Sequence, residues 1–116
     1  INTIILDFFE YNIYRTKKGS RIIMFSIWAK TQTDEKIKKN EIIDFEDKFV
    51  KSNFFDYVSK ICNDLDIPTP VILKKHINHF TSFNIATFNK DDFIEYIDFD
   101  KLILESCKEE KKENNQ

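Results

Sequence analysis

Glycine is nearly absent from this sequence, with one in 116 residues. Gly-rich phosphate loops, dinucleotide-binding turns and the nucleophile elbow need several glycines, because their backbone takes positive φ or approaches a ligand closely. The sequence therefore excludes these sites, and with them most common nucleotide-using and acyl-transfer enzymes. The one glycine, Gly19, lies between two long apolar stretches.

Cysteine, charge of one sign and long apolar runs are also scarce. Cys62 and Cys107 make no metal motif or disulfide framework, which favours a reducing compartment and a cytoplasmic protein. A net charge of −2 gives no general attraction to nucleic acid or an anionic membrane. No run reaches the ~18 apolar residues that span a bilayer, and residues 1–6 carry no basic leader. We therefore predict neither a membrane segment nor a signal peptide, and because Ile1 is not Met we expect residues upstream.

Large apolar side chains are abundant, with twelve Phe against one Trp and one Met. Hydrophobic residues make up 41% and charged residues 33% of the chain, which is typical of a globular protein. A chain of this length buries enough surface to fold without a metal or a disulfide. We predict a single α+β domain over residues 1–107 and a charged, flexible C-terminal tail over residues 108–116.

Two strands are predicted at the N-terminus, over residues 3–15 and 21–31. Both stretches are rich in β-branched and aromatic residues, with apolar side chains at both parities. The five residues between them include Gly19, so an antiparallel hairpin is the natural connection. Residues 32–44 are polar and lysine-rich and are predicted as an exposed, mobile loop, followed by a short helical segment over 45–51.

Helices are predicted over residues 54–66 and 70–83. Phe54, Val58 and Ile61 begin a stripe with helical spacing, and Asn53 is the expected N-cap of the first helix. Thr69 and Pro70 have the N-cap and first-turn pattern of the second helix. Because so few residues separate the two, they resemble a tight αα-hairpin.

The pattern weakens after residue 84. Residues 85–88 are predicted as a short strand and 89–92 as a turn or helix start, whereas 93–97 fit either a strand or a helix. Asp98 is the expected cap of a last helix, and a final strand over 101–106 is the alternative.

The predicted fold is therefore α+β: a long N-terminal antiparallel β-hairpin, extended in one version to a three- or four-stranded sheet, packed against two or three helices. The predicted core consists of Leu6, Phe8, Ile23, Phe25, Ile27, Phe54, Val58, Ile61, Leu65, Leu73, Ile77, Phe80, Phe83, Phe93, Leu102 and Ile103.

The two histidines, His76 and His79, are the candidate metal ligands. At i, i+3 on a helix they could reach one ion if a third ligand came from Cys62, Asp56 or Glu105. A metal-dependent enzyme using these histidines is one functional hypothesis. The simpler interpretation is that His76 is a core histidine satisfied by a hydrogen bond and that His79 is exposed.

Acid–base and nucleophilic catalysis have weaker signals. Asp91, Asp92, Asp98 and Asp100 crowd one segment, but aspartate is also favoured in turns and caps because it accepts backbone N–H groups. Cys62 lies on the apolar flank of a helix, where a free cysteine behaves as a small hydrophobe. We predict no cofactor.

A basic cluster marks the predicted hairpin tip. Such a tip could bind phosphates of a nucleic acid, with aromatic residues nearby for base stacking, or it could be an ordinary solvated turn. The cluster consists of Arg15, Lys17, Lys18 and Arg21.

The surplus of apolar residues supports a third hypothesis. If both strands are apolar on two faces, the helices cover one face and a partner protein or a second copy could cover the other. Trp28 is the expected anchor, because interfaces favour tryptophan at their centres. The preferred interpretation is a non-catalytic protein-interaction or self-associating module, with a homodimer as one form.

Overall fold

Four antiparallel strands and two helices make up the part of the chain that the computed structural model describes, residues 22–107. The elements in chain order are β1 (Phe25–Thr33), β2 (Lys36–Phe45), α1 (Phe54–Leu65), α2 (Lys74–Phe83), β3 (Ile85–Asn89) and β4 (Lys101–Cys107). The sheet order is β2-β1-β4-β3. The predicted α+β class is confirmed, with the sheet in its four-stranded form.

The hairpin in the described residues joins β1 to β2, not residues 3–15 to 21–31. Both edges of β1 are hydrogen-bonded, to β2 and to β4, so no place beside this strand remains for another. Its tip is a two-residue turn in which Asp34 and Glu35 have φ of 53° and 65°. Positive φ at both positions matches the twist of the flanking strands. The predicted strand 3–15 and Gly19 lie outside the described residues.

The prediction of a mobile loop over residues 32–44 is wrong, because most of this segment forms β2. Nearly all of its side chains are exposed up to Glu41, and only Ile43 is buried. Charged side chains on an edge strand keep it from pairing with other chains. An edge strand that carries them therefore has the amino-acid composition of a loop. The predicted helix over 45–51 is also wrong, since only Lys51–Asn53 forms a short 3-10 turn.

Helix α1 confirms the predicted helix to within one residue. Its buried residues follow a single stripe: Phe54, Tyr57, Val58, Ile61, Cys62 and Leu65. The helix ends at Asp66, which takes a left-handed φ of 60°. Asn53 makes no side-chain cap, so that detail of the prediction is wrong.

Helix α2 begins at Lys74 rather than at residue 70. The predicted start is wrong because the N–H of Val71 donates to the carbonyl of Asp92 at 2.7 Å, which holds residues 70–73 in an extended path. The N-cap is Leu73 instead of Thr69. The two helices are therefore joined by residues 66–73 and do not form a tight αα-hairpin.

Beyond residue 84, the short strand is confirmed as β3 and the predicted helix from Asp98 is wrong. The alternative, a strand over 101–106, is confirmed as β4, in which Leu102 and Leu104 alternate toward the core. Residues 93–97 are neither helix nor strand. The predicted tail, 108–116, lies outside the described residues.

One hydrophobic core lies between the sheet and the two helices, because Ile27, Ala29 and Leu104 project from the face that α1 and α2 cover. The prediction that Leu73 and Phe83 belong to the core is wrong, because 45% and 66% of their surface is exposed. Leu6 and Phe8 lie outside the described residues. Ile103 pairs with Lys30 on the opposite face of the sheet and is partly buried there, outside this core. The other predicted positions are buried or partly buried: Ile23, Phe25, Ile27, Phe54, Val58, Ile61, Leu65, Ile77, Phe80, Phe93 and Leu102.

Candidate interaction surfaces

His76 is buried where α2 begins, with only 3% of its surface exposed. The backbone N–H of Leu73 donates to its Nδ1 at 2.9 Å, so a neutral ring carries its proton on Nε2, which faces Asp92 Oδ2 at 3.3 Å. The ring also lies against Phe88, with centroids 4.2 Å apart. Burial lowers the pKa of His76 below its ordinary value of 6.5, while the Asp92 carboxylate opposes part of that shift.

These contacts give His76 a structural role. Its Nδ1 lone pair accepts the N–H of the N-cap residue, as a Glu or Gln does in a capping box. A metal ion would need that lone pair or the one on Nε2, which the neutral ring uses for its proton. In this arrangement neither ring nitrogen is free to bind a metal or to take a proton from a substrate.

His79 is exposed on α2, beside the ring of Phe83. No group of three or more His, Cys, Asp or Glu side chains that could hold a metal ion occurs within residues 22–107. The structure therefore does not bring Cys62, Asp56 or Glu105 together with the two histidines. Metal binding by His76 and His79 stays a prediction.

Two of the aspartates in residues 91–100, Asp92 and Asp100, accept backbone N–H groups in turns. Asp92 Oδ2 accepts the N–H of Asn89 at 2.9 Å, which caps the 3-10 turn Lys90–Asp92. Asp100 Oδ2 accepts the N–H of Asp34 at 2.9 Å and so braces the β1–β2 turn. Both contacts are those expected of turn and cap aspartates.

Cys62 and Cys107 are both buried and form no disulfide with each other. Burial raises the pKa of the Cys62 thiol to about 12, so it is uncharged at neutral pH. The thiolate is the reactive form of cysteine, and Cys62 is therefore a core residue and not a nucleophile.

Trp28 lies on the side of the sheet opposite α1 and α2. Cross-strand pairing places it between Ile42 of β2 and Glu105 of β4. We call this side the helix-free face and define it by Ser26, Trp28, Lys30, Ile42, Ile85, Ile103, Glu105 and Cys107.

Polar contacts surround the Trp28 ring on the helix-free face. Its Nε1–H donates to Asn40 Oδ1 at 3.3 Å, and Lys30 Nζ lies 4.2 Å from the ring centroid. The same ammonium group forms an ion pair with Glu105 at 3.1 Å. Trp28 is half-buried in this setting, and its role as a binding anchor stays a prediction.

The most exposed large apolar residues lie elsewhere, in a segment that the sequence left ambiguous. Ile94 and Tyr96 are 87% and 86% exposed, whereas Phe93, Ile97 and Phe99 of the same segment are buried in the core. We call residues 93–99 the Tyr96 loop. The alternating pattern was visible in the sequence, but it equally fitted a strand, so this surface was missed.

The segment before α2 lies beside the Tyr96 loop. The 2.7 Å hydrogen bond from Val71 to Asp92 ties the two chain segments together next to the start of the loop. Val71 and Leu73 are themselves exposed. Two segments joined by a hydrogen bond thus carry exposed apolar side chains.

A pocket of about 500 Å³ opens at the end of the sheet where β1 begins and β4 ends. Its described lining has no carboxylate, imidazole or amine, and Cys107 contributes a thiol. The lining residues are Ile23, Met24, Phe25, Ser26, Phe49, Phe80, Thr81, Asn84, Ser106 and Cys107.

The basic cluster of Arg15, Lys17, Lys18 and Arg21 lies outside the described residues, so nucleic-acid contact through it stays a prediction. Within residues 22–107 no helix is long and apolar enough to cross a bilayer. Comparison of the chain with known proteins gave no match to a protein family, to a curated protein or to a solved structure.

Proposed function

We propose that this domain is a non-catalytic protein-binding module whose main contact is the Tyr96 loop. The observation that carries the proposal is the near-complete exposure of Ile94 and Tyr96 between side chains anchored in the core. Each large apolar side chain left in water forgoes roughly 1.5–3 kcal/mol of burial free energy, which a partner could recover.

The anchoring of the loop supports this function. Because Phe93, Ile97 and Phe99 are buried, the backbone between them is held in place and little conformational entropy is lost on binding. Tyrosine is among the residues enriched at the energetic centres of interfaces. Exposed Val71 and Leu73 would extend the contact beyond the loop.

The partner is another protein or a second copy of this chain. The double variant Ile94→Ser/Tyr96→Ser tests the proposal, with Phe55→Ser as the matched control, because Phe55 is also an exposed apolar residue but lies on α1. All three proteins should unfold with similar stability, because the substituted side chains make few packing contacts.

Association is measured in two ways: sedimentation of the purified protein over a concentration range, and crosslinking in cell extract with identification of the crosslinked protein. We expect the association found with the original chain to disappear in the double variant and to persist in Phe55→Ser. Equal loss in both variants, or no loss in the double variant, would refute the role of the Tyr96 loop.

A further inference from the structure

The helix-free face of the sheet combines an apolar surface with the absence of any covering element among residues 22–107. Both helices lie on the other face, where their buried side chains meet Ile27, Ala29 and Leu104. The helix-free face nevertheless carries Trp28, Ile42 and Ile103 from its three longest strands. An uncovered face of this kind would expose these side chains to water.

Several side chains of this face have the low exposure of a covered surface. Ser26 is only 2% exposed and Cys107 only 9%, although neither faces the core. The Lys30 side chain is only 15% exposed. Trp28, Ile42, Ile85 and Ile103 are all partly buried. Ile37, near the start of β2 opposite Gln32 on the same side of the sheet, is 42% exposed.

Only two stretches of this sequence remain to cover the face, residues 1–21 and 108–116. Residues 108–116 contain no apolar side chain and cannot replace water over Trp28 and its neighbours. Residues 1–21 carry many: Ile1, Ile4, Ile5, Leu6, Phe8, Phe9, Tyr11, Ile13 and Tyr14.

Residues 1–21 are connected to the domain close to the helix-free face. They connect at Ile22, two residues before Met24, whose N–H donates to the carbonyl of Phe45 at 2.8 Å. Ser26 of the helix-free face follows two residues later. Extended at ~3.3 Å per residue, 21 residues reach about 70 Å, several times the width of four strands at ~4.8 Å spacing. Tethering gives the segment an effective concentration near the millimolar range.

We propose that residues 1–21 pack against the helix-free face of the same chain and shield Trp28 from solvent. This inference does not depend on the proposed function of the Tyr96 loop, which lies in a different part of the domain. It implies that Trp28 is an internal anchor of the fold, so the surface left for partners is elsewhere.

Trp28 is the only tryptophan, so its fluorescence in the full chain reports directly on this face. Two triple variants replace apolar side chains of residues 1–21, one at odd-numbered and the other at even-numbered positions. They are Ile5→Ser/Phe9→Ser/Ile13→Ser and Ile4→Ser/Leu6→Ser/Phe8→Ser. We expect at least one of them to shift Trp28 emission to longer wavelength and to increase its quenching by acrylamide. The control Phe55→Ser, at an exposed position of α1, should change neither.

Thiol reactivity shows whether the variants stay folded. Cys62, in the core, should remain unreactive toward a disulfide reagent, while Cys107 on the helix-free face should become reactive. Unchanged quenching in both variants would overturn the proposal. Quenching that depends on protein concentration in the original chain would also overturn it, because a second copy would then be the cover.

A crosslinking measurement tests the proposal without disrupting the segment. Ile103→p-benzoylphenylalanine places a photo-crosslinker on the helix-free face of the full chain, and Phe55→p-benzoylphenylalanine is the control on α1. We expect intramolecular crosslinks from position 103 into residues 1–21 at low protein concentration, and none there from position 55. Crosslinks to another copy, or none into residues 1–21, would refute the inference.

Discussion

Replacing His76 by glutamine should destabilise the domain at neutral pH and remove part of its pH dependence. Glutamine at the third helical position can still accept the N–H of the N-cap residue, so the cap of α2 is kept. The variant loses the hydrogen bond to Asp92 and the ring contact with Phe88. These are worth roughly 1.5–3 and 0.5–1.5 kcal/mol in buried sites.

We expect a loss of about 2 kcal/mol at neutral pH, toward the lower end of that sum, because the Asp92 contact is long and Asp92 is partly exposed. The sign of the pH effect follows from the direction of the pKa shift. Burial lowers the pKa of His76 in the folded state, so on acidification the unfolded chain binds this proton first. The stability that His76 contributes is complete above its ordinary pKa of 6.5 and is lost as the pH falls through the folded-state pKa.

Urea unfolding of both proteins at a series of pH values, followed by Trp28 fluorescence and circular dichroism, measures this difference. The gap in unfolding free energy should shrink below pH ~6.5, by at most about 1.4 kcal/mol per pH unit. His79→Gln, on the exposed side of α2, is the control and should keep the original profile. A gap that stays constant or widens in acid would refute the assigned geometry of His76.

Two further substitutions test the turn and the end of α1. Glu35→Gly should raise the melting temperature and stabilise the domain by about 1 kcal/mol, because φ of 65° is unfavourable for a residue with a Cβ; a lower melting temperature would contradict this. Lys39→Met should cost about 1 kcal/mol in urea unfolding, because Lys39 Nζ donates to the last carbonyl of α1, that of Leu65, at 2.7 Å. Lys38→Met at the adjacent bulge should have little effect, and equal effects would count against the cap.

The sequence-based prediction was most accurate for an element whose pattern lies within one continuous segment. Helix α1 has a stripe with helical period, and its apolar face is buried along its whole length. The strand from residue 101 was ambiguous because Leu102, Ile103 and Leu104 are consecutive apolar residues that fit either period. Only pairing with β1 and β3 selects the strand, and that pairing is not local.

Strand β2 could not be recognised from its composition. The side chains of residues 36–41 are exposed on both faces of the sheet, so no alternation of burial appears there. Its lysines have structural contacts that composition does not reveal, since Lys39 donates to the end of α1. A lysine-rich edge strand and a loop are therefore alike in sequence and differ in their hydrogen bonds.

The wrongly predicted start of α2 and the candidate metal site involve the same contacts. Thr69 and Pro70 have the local pattern of a helix start, yet the N–H of Val71 binds the carbonyl of Asp92 and the helix begins only at Lys74. The residue that stabilises this later start is His76, which the sequence offered as a metal ligand. Because one contact network both delays the helix and occupies both ring nitrogens, evidence for that late start is also evidence against metal binding by His76.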